Sequence, residues 1–194
     1  MSIKKKNLTL ALLPIVLLVW VPYVRCESSL QKGMTEWGFS VGYGDNFHIG
    51  HDVTEDVAFY FLTHFWGRVL KNWSDGGSLE FVAEGFLSFV QQDSVDRYAI
   101  GVTPLIAYNL KDFGKVIPFL ELGLGILYTD LDPEGFGSRF DFTPQAGFGL
   151  RYRIGHGKFL KFSYRIHHVS NADIDEDNLG IDSHLFSVGI SFLK

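Results

Sequence analysis

The residues of this chain best suited to covalent chemistry are a histidine and a serine two positions apart, with an acid further along. They lie in the stretch Tyr164-Arg-Ile-His-His-Val-Ser-Asn-Ala-Asp-Ile-Asp-Glu-Asp-Asn-Leu-Gly-Ile-Asp182. In an extended strand, residues i and i+2 share a face and sit about 6.6 Å apart along the axis. His168 and Ser170 then meet through their side chains, while Val169 points the other way. If the following run pairs back as a hairpin, Asp182 returns to the same neighbourhood on the same face. Base, nucleophile and orienting acid are then within reach of one another. The chemistry of such a set is acyl transfer to water. His168 takes the Ser170 proton, Asp182 fixes the imidazole tautomer, and Ser170 attacks an ester carbonyl. The oxyanion needs preorganised donors, for which Asn171, Asn178 and backbone N–H groups of the 171–180 loop are the nearby candidates.

The elements that must position these residues read as strands. Apolar residues recur with period two almost throughout, and long helical stripes are absent. Trp37, Phe39, Val41 and Tyr43 alternate with Gly38, Ser40 and Gly42 in the first strand; the second, around Val57 to Trp66, is apolar on both faces and its parity cannot be read. The third sets Leu79, Phe81, Ala83, Leu87 and Phe89 against Ser78, Glu80, Glu84 and Ser88, and the fourth sets Tyr98, Ile100, Val102, Ile106 and Tyr108 against small residues. The fifth has Leu120, Leu122, Leu124, Ile126 and Tyr128 opposite Glu121, Gly123 and Gly125; the sixth has Phe140, Phe142, Phe148, Leu150 and Tyr152 opposite Asp141, Gln145, Arg151 and Arg153. Leu160, Phe162, Tyr164 and Ile166 define the seventh, and Phe186, Val188, Ile190 and Phe192 the eighth. Eight strands of transmembrane length, about 9–11 residues each, predict an all-β, eight-stranded antiparallel barrel.

Which face is outside decides the class. A soluble barrel turns its apolar face inward; a membrane barrel does the reverse. The polar face here mixes both charge signs with glycine, alanine and serine, which suits a cramped interior where Glu80, Glu84 and Glu121 pair with Arg151, Arg153, Lys161 and Arg165. The apolar face is bulky, and Tyr43, Tyr98, Tyr108, Tyr128 and Tyr152 recur near strand ends as an interfacial girdle would. A membrane barrel is the better reading, with a lumen filled by side chains rather than an open pore.

The N-terminal stretch fits export. Lys4-Lys5-Lys6 precedes an uncharged apolar run from Leu8 to Val24, the n- and h-regions of a secretory signal, giving residues 1–26 as leader and 27–194 as barrel. Losing Lys4, Lys5, Lys6 and Arg25, with no acid among residues 1–26, leaves the rest four charges more acidic than the −5 of the whole chain. That balance argues against nucleic acid as a partner. Cys26 is the only cysteine, so no disulfide is expected in the barrel. With both termini on the periplasmic side, the outward connections are acidic: Asp45 to Asp56, Gln91 to Asp96, Asp130 to Glu134 and Asp173 to Asp177. The inward link from Gly67 to Gly77 reads as longer than a periplasmic turn should be.

Parity places the candidate site. His168 and Ser170 continue the lipid-facing row of the seventh strand, and in the eighth that row leads back through His184 to Asp182. All three residues therefore belong on the outer wall at the extracellular end, where a substrate ester arrives in a lipid. His167 points into the lumen and reads as structural, and His64 reads as a polar interior residue. His48, His51 and His64 are too scattered for a metal site, and Asp173-x-Asp175-x-Asp177 lacks the glycine and glutamate of a calcium loop.

His168-x-Ser170-Asn171-Ala172, followed by Asn178-x-Gly180-Ile181 and the acid at 182, resembles the signature of PagL-type outer-membrane lipid A 3-O-deacylases. The resemblance implies an eight-stranded barrel that removes the 3-position acyl chain of lipid A with a His–Ser–acid triad. It makes His168 the base, Ser170 the nucleophile, Asp182 the acid and Asn178 the oxyanion donor, with Asn171 supporting the loop. Two positions depart from the pattern: the family's acid is usually glutamate, and the position three beyond the serine, commonly glycine, is Asp173. The expected setting is the outer membrane of a Gram-negative bacterium. The expected partners are lipid A or lipopolysaccharide as substrate and outer-membrane lipid, with a homodimer the one protein–protein option; no cofactor and no metal is called for. The alternative is a non-enzymatic small barrel of the adhesin or structural kind, with its acidic loops as the working surface.

Overall fold

The computed structural model describes residues 30–47, 53–93, 95–132, 134, 136–174 and 176–194; the leader expected over 1–26, His48, His51 and Asp175 lie outside them. Eight strands run β1 (Thr35–Phe47), β2 (Val57–Asn72), β3 (Ser78–Gln92), β4 (Val95–Asn109), β5 (Val116–Thr129), β6 (Phe140–Gly155), β7 (Lys158–Val169) and β8 (Ile181–Leu193). Each pairs antiparallel with its neighbours in sequence, and β1 closes on β8. Closure leaves no edge strand to satisfy, which is what a sheet needs to stand in lipid. At 12 to 16 residues the strands exceed what the hydrocarbon layer demands.

The expected parities hold in β1 and in β3 to β8. Trp37, Phe39, Leu87, Ile100, Leu122, Phe148, Phe162 and Phe186 are exposed on the outer wall, whereas Glu36, Glu80, Glu121, Arg151 and Lys161 are buried inside. Register stacks the aromatics into two belts. Tyr43 opposes Tyr60, and Phe89 opposes both Tyr60 and Tyr98, toward the loop end; Trp37 opposes Trp66 toward the termini. Rings at these levels place amphipathic bodies where a membrane meets water.

β2 is where the sequence reading needs correction. Phe59, Phe61 and Phe65 point inward, and Tyr60, Leu62 and Trp66 point outward. His64 goes with the outward row, against Phe39 at a ring separation of 4.9 Å, and is not an interior residue. β2 also continues through Asn72, so the link to β3 is only Trp73–Gly77, closed by a Trp73 N–H to Gly77 carbonyl bond of 3.0 Å. The apparently long turn was strand, hidden because Arg68, Lys71 and Asn72 interrupt the apolar pattern beyond the girdle.

The lumen is filled in layers. Nearest the termini, Leu30, Val69, Ile117 and Phe159 form an apolar seal. Above it lies an ionic layer. Arg151 Nη2 donates to Glu80 (2.6 Å) and Glu36 (3.0 Å), and Nη1 donates to Asn109. Arg165 binds Glu84 through both terminal nitrogens (2.6 and 2.8 Å), Glu121 through Nε (2.6 Å) and Gln145 (3.0 Å). Lys161 Nζ lies 3.8 Å from Glu121 and over the Phe65 and Phe119 rings. Buried charge is tolerable here because each group is paired and the two guanidiniums are hydrogen-bonded to their carboxylates; stripping one partner typically costs about 3–5 kcal/mol. Arg153 was expected in this layer and instead faces Asp112 at 3.8 Å, since register carries it toward the terminal end. Toward the loops, Val53, Phe59, Phe61, Phe86, Leu131, Phe136, Val169 and Ile181 belong to a second apolar seal.

Candidate active site

His168 and Asp182 are directly opposed across β7 and β8, and His168 Nδ1 lies 2.8 Å from Asp182 Oδ1. Both are partly open to the outside, with side chains 35% and 21% exposed. An ionised Asp182 can only accept, so Nδ1 carries the proton and Nε2 is left as the basic atom. The adjacent His167 faces the lumen, 2% exposed, with its ring edge-on to Phe59 and Phe61.

Ser170 sits one step further along the same outer row. Its backbone is pinned to β6: Ser170 N–H donates to Phe142 O at 3.1 Å, and Phe142 N–H donates to Ser170 O at 2.8 Å. Histidine and acid are thus brought into contact, whereas the described Ser170 side chain shares their face without a hydrogen bond to His168. Catalytic hydrogen bonds commonly tighten only when substrate is bound.

The loop after Ser170 is held by its two asparagines. Asn171 is fully buried; its N–H donates to Asn178 Oδ1 (2.9 Å) and its Nδ2 to the Asp177 carbonyl (2.8 Å). Asn178 Nδ2 in turn donates to Asp173 Oδ1 (2.8 Å), which leaves its second N–H for another acceptor. Ala172 and Asp173 have φ of 55° and 61°, the left-handed region in which non-glycine residues are uncommon. Asp173 therefore keeps the backbone shape that glycine would adopt, and its carboxylate, bonded to Asn178, helps hold it there.

Two positioning roles escaped the sequence reading, one of them at a glycine already quoted in the signature. Gly180 lies under the His168 ring: a Cβ there would stand 2.5 Å from His168 Cε1, a separation that atoms do not tolerate. The Gly180 carbonyl also accepts from Val53 N–H at 3.1 Å, tying the β1–β2 connection to the floor of the site. Gly180 is visible in the sequence as the one glycine between Ser170 and Asp182; Val53 carries no local signal. Next to the site on the membrane side, Tyr164 Oη and His184 Nδ1 are hydrogen-bonded at 2.7 Å, and His184 stacks on Phe47. Among the described residues, no group of three or more His, Cys, Asp or Glu is placed to hold a metal ion.

Solved structures with the same fold include the outer membrane enzyme PagL, with a TM-score of 0.62 and 19% identity over 77% of this chain and 97% of that one. The outer membrane protein OprG from Pseudomonas aeruginosa aligns with a TM-score of 0.55 and 13% identity, covering 87% and 99% of the two chains. Neisserial surface protein A gives 0.57 and 14%, covering 82% and 95%. At these identities the likeness speaks for the fold alone. No curated protein matches the sequence. The family model for lipid A 3-O-deacylase (PagL) matches residues 56–191, a span that takes in β2 through most of β8 and includes His168, Ser170 and Asp182. This chain belongs to the lipid A 3-O-deacylase (PagL) family, ester hydrolases of the Gram-negative outer membrane.

Proposed function

We propose that this barrel removes the 3-position acyl chain of lipid A with Ser170 as nucleophile, His168 as general base and Asp182 as orienting acid. The observation that carries the reading is the 2.8 Å His168–Asp182 contact on the lipid-facing row, with Ser170 next along it. Asp182 holds the imidazole with Nδ1 protonated, and Nε2 takes the Ser170 proton as Oγ attacks the ester carbonyl. The second N–H of Asn178 Nδ2 and backbone N–H groups of the 171–180 loop are the candidate donors to the developing oxyanion. Collapse breaks the bond between the acyl carbon and the sugar oxygen, which leaves with the proton held on His168. Water then attacks the acyl-serine with His168 again as base, releasing the fatty acid and regenerating Ser170.

The site opens sideways onto the membrane wall, so the ester arrives from a lipid in the outer leaflet at the level of its head group. Asp182 in place of glutamate is accommodated by direct cross-strand pairing, which brings the two backbones close enough for the shorter side chain. The test is mass spectrometry of lipid A incubated with purified protein in detergent. Wild type should release one ester-linked 3-hydroxy fatty acid. A folded Ser170→Ala protein that still releases it would remove this mechanism.

A further inference from the structure

Immediately behind the nucleophile, on the luminal side of the same wall, the structure leaves acceptors facing one another without a donor. The Phe142–Ser170 pair exchanges both backbone hydrogen bonds. The next pair outward, Asp141 and Asn171, is therefore of the non-hydrogen-bonded kind, whose side chains approach most closely. Both are fully buried and point inward. Neither oxygen of Asp141 has a hydrogen-bond partner, and neither does Asn171 Oδ1, whose amide nitrogen is committed to Asp177.

Among the described residues, no cation is paired with Asp141. The guanidinium groups of Arg151 and Arg165 are bound to Glu36, Glu80, Glu84 and Glu121 in the ionic layer. Arg139, two residues before Asp141 and just ahead of β6, is exposed at the rim. From β5 the inward neighbours are Leu127 and Thr129, and from β7 Val169; His167, deeper in the lumen, is the nearest inward-facing titratable group on β7, and His168 beside it faces outward. An ionised carboxylate in such a place is strongly unfavourable, whereas a neutral carboxylic acid supplies the missing donor.

We propose that Asp141 is held as a neutral acid that donates its proton to Asn171 Oδ1, and that it is thereby a positioning residue for the catalytic loop. Asn171 already anchors Asn178 through its backbone N–H and fixes Asp177 through its side chain. With the Asp141 proton in place, the loop bearing the oxyanion donor is fastened to β6 behind Ser170. When that proton is lost, a carboxylate faces an amide oxygen and the fastening is released. The catalytic part of this inference rests on the proposed roles of Ser170 and Asn178; the protonation of Asp141 does not.

The test uses wild type, Asp141→Asn, Asp141→Ala and Ser170→Ala, all refolded in detergent. Infrared difference spectra at neutral pH should show a carboxylic acid carbonyl band in wild type and in Ser170→Ala that is absent from Asp141→Asn. This readout needs no turnover, so it stands apart from any failure of the hydrolytic reading. In lipid A hydrolysis, Asp141→Asn, whose amide also donates, should keep activity within about threefold of wild type and retain it at alkaline pH where wild type declines. Asp141→Ala should lose about tenfold or more. Absence of the acid band overturns the proposal. So does an Asp141→Asn protein as inactive as Asp141→Ala, or wild-type activity that requires calcium and disappears on chelation, which would make Asp141 a cation ligand.

Discussion

His167 and His168 are joined by one peptide bond and live in different solvents. The first is sealed among phenylalanines in the lumen, 2% exposed; the second stands on the outer wall, bonded to Asp182. The pleat alone separates them. The comparison teaches that the two surfaces of this barrel divide the work. The luminal face holds the cylinder together through paired charges and packed rings, and in the proposed mechanism the outer face carries the chemistry. Away from Asp141 and Asn171, which we propose tie the two faces together behind Ser170, a change on one side should leave the other side's property largely intact.

The largest effects should come from the outer row. Ser170→Ala or His168→Asn should lower the deacylation rate by about 10³–10⁴-fold in a barrel that still shows the heat-modifiable gel mobility of a folded one. An equal loss in His167→Asn would break the division proposed here. Next is Arg165→Met, which strands Glu84 in the ionic layer and leaves Glu121 with Lys161 alone. It should destabilise the barrel by about 3–5 kcal/mol in denaturant titrations, while activity per folded molecule stays near wild type. Gly180→Ala tests the boundary between the faces. The added methyl pushes the imidazole off its seat, and a loss of about 100-fold in kcat is expected with the melting transition little changed. The smallest effect belongs to His64→Leu on the lipid wall far from Ser170, where both stability and turnover should stay within about 0.5 kcal/mol and twofold of wild type. A large loss there would show that the apolar wall beyond the site also handles substrate.

Much of this was legible beforehand, for a reason tied to the pleat. A two-residue period records which side a side chain takes, so Leu160, Phe162, Tyr164 and Ile166 pointed to His168 and Ser170, and Phe186 and His184 pointed back to Asp182. β2 defeated the same reading because its inward residues include Phe59, Phe61 and Phe65, which fill the lumen, and a strand that is apolar on both faces has no parity to read. The fine structure of the site was also hidden. Gly180 beneath His168, Val53 on Gly180, and the Phe142–Ser170 bridge that sets Asp141 across from Asn171 join distant strands and loops, and no local pattern encodes them. The departure at Asp173 could be named from the sequence, but its left-handed backbone and its bond to Asn178 could not.

The apolar seals at the two ends of the lumen have a kinetic consequence. Neither substrate nor product can pass through the cylinder, so the lipid must approach the active site, and the freed fatty acid depart from it, by sliding within the leaflet. Encounter is then a two-dimensional search. Turnover should follow the mole fraction of lipid A in the surface and the fluidity of that surface, and adding more substrate vesicles of fixed composition should leave the rate of already embedded enzyme unchanged.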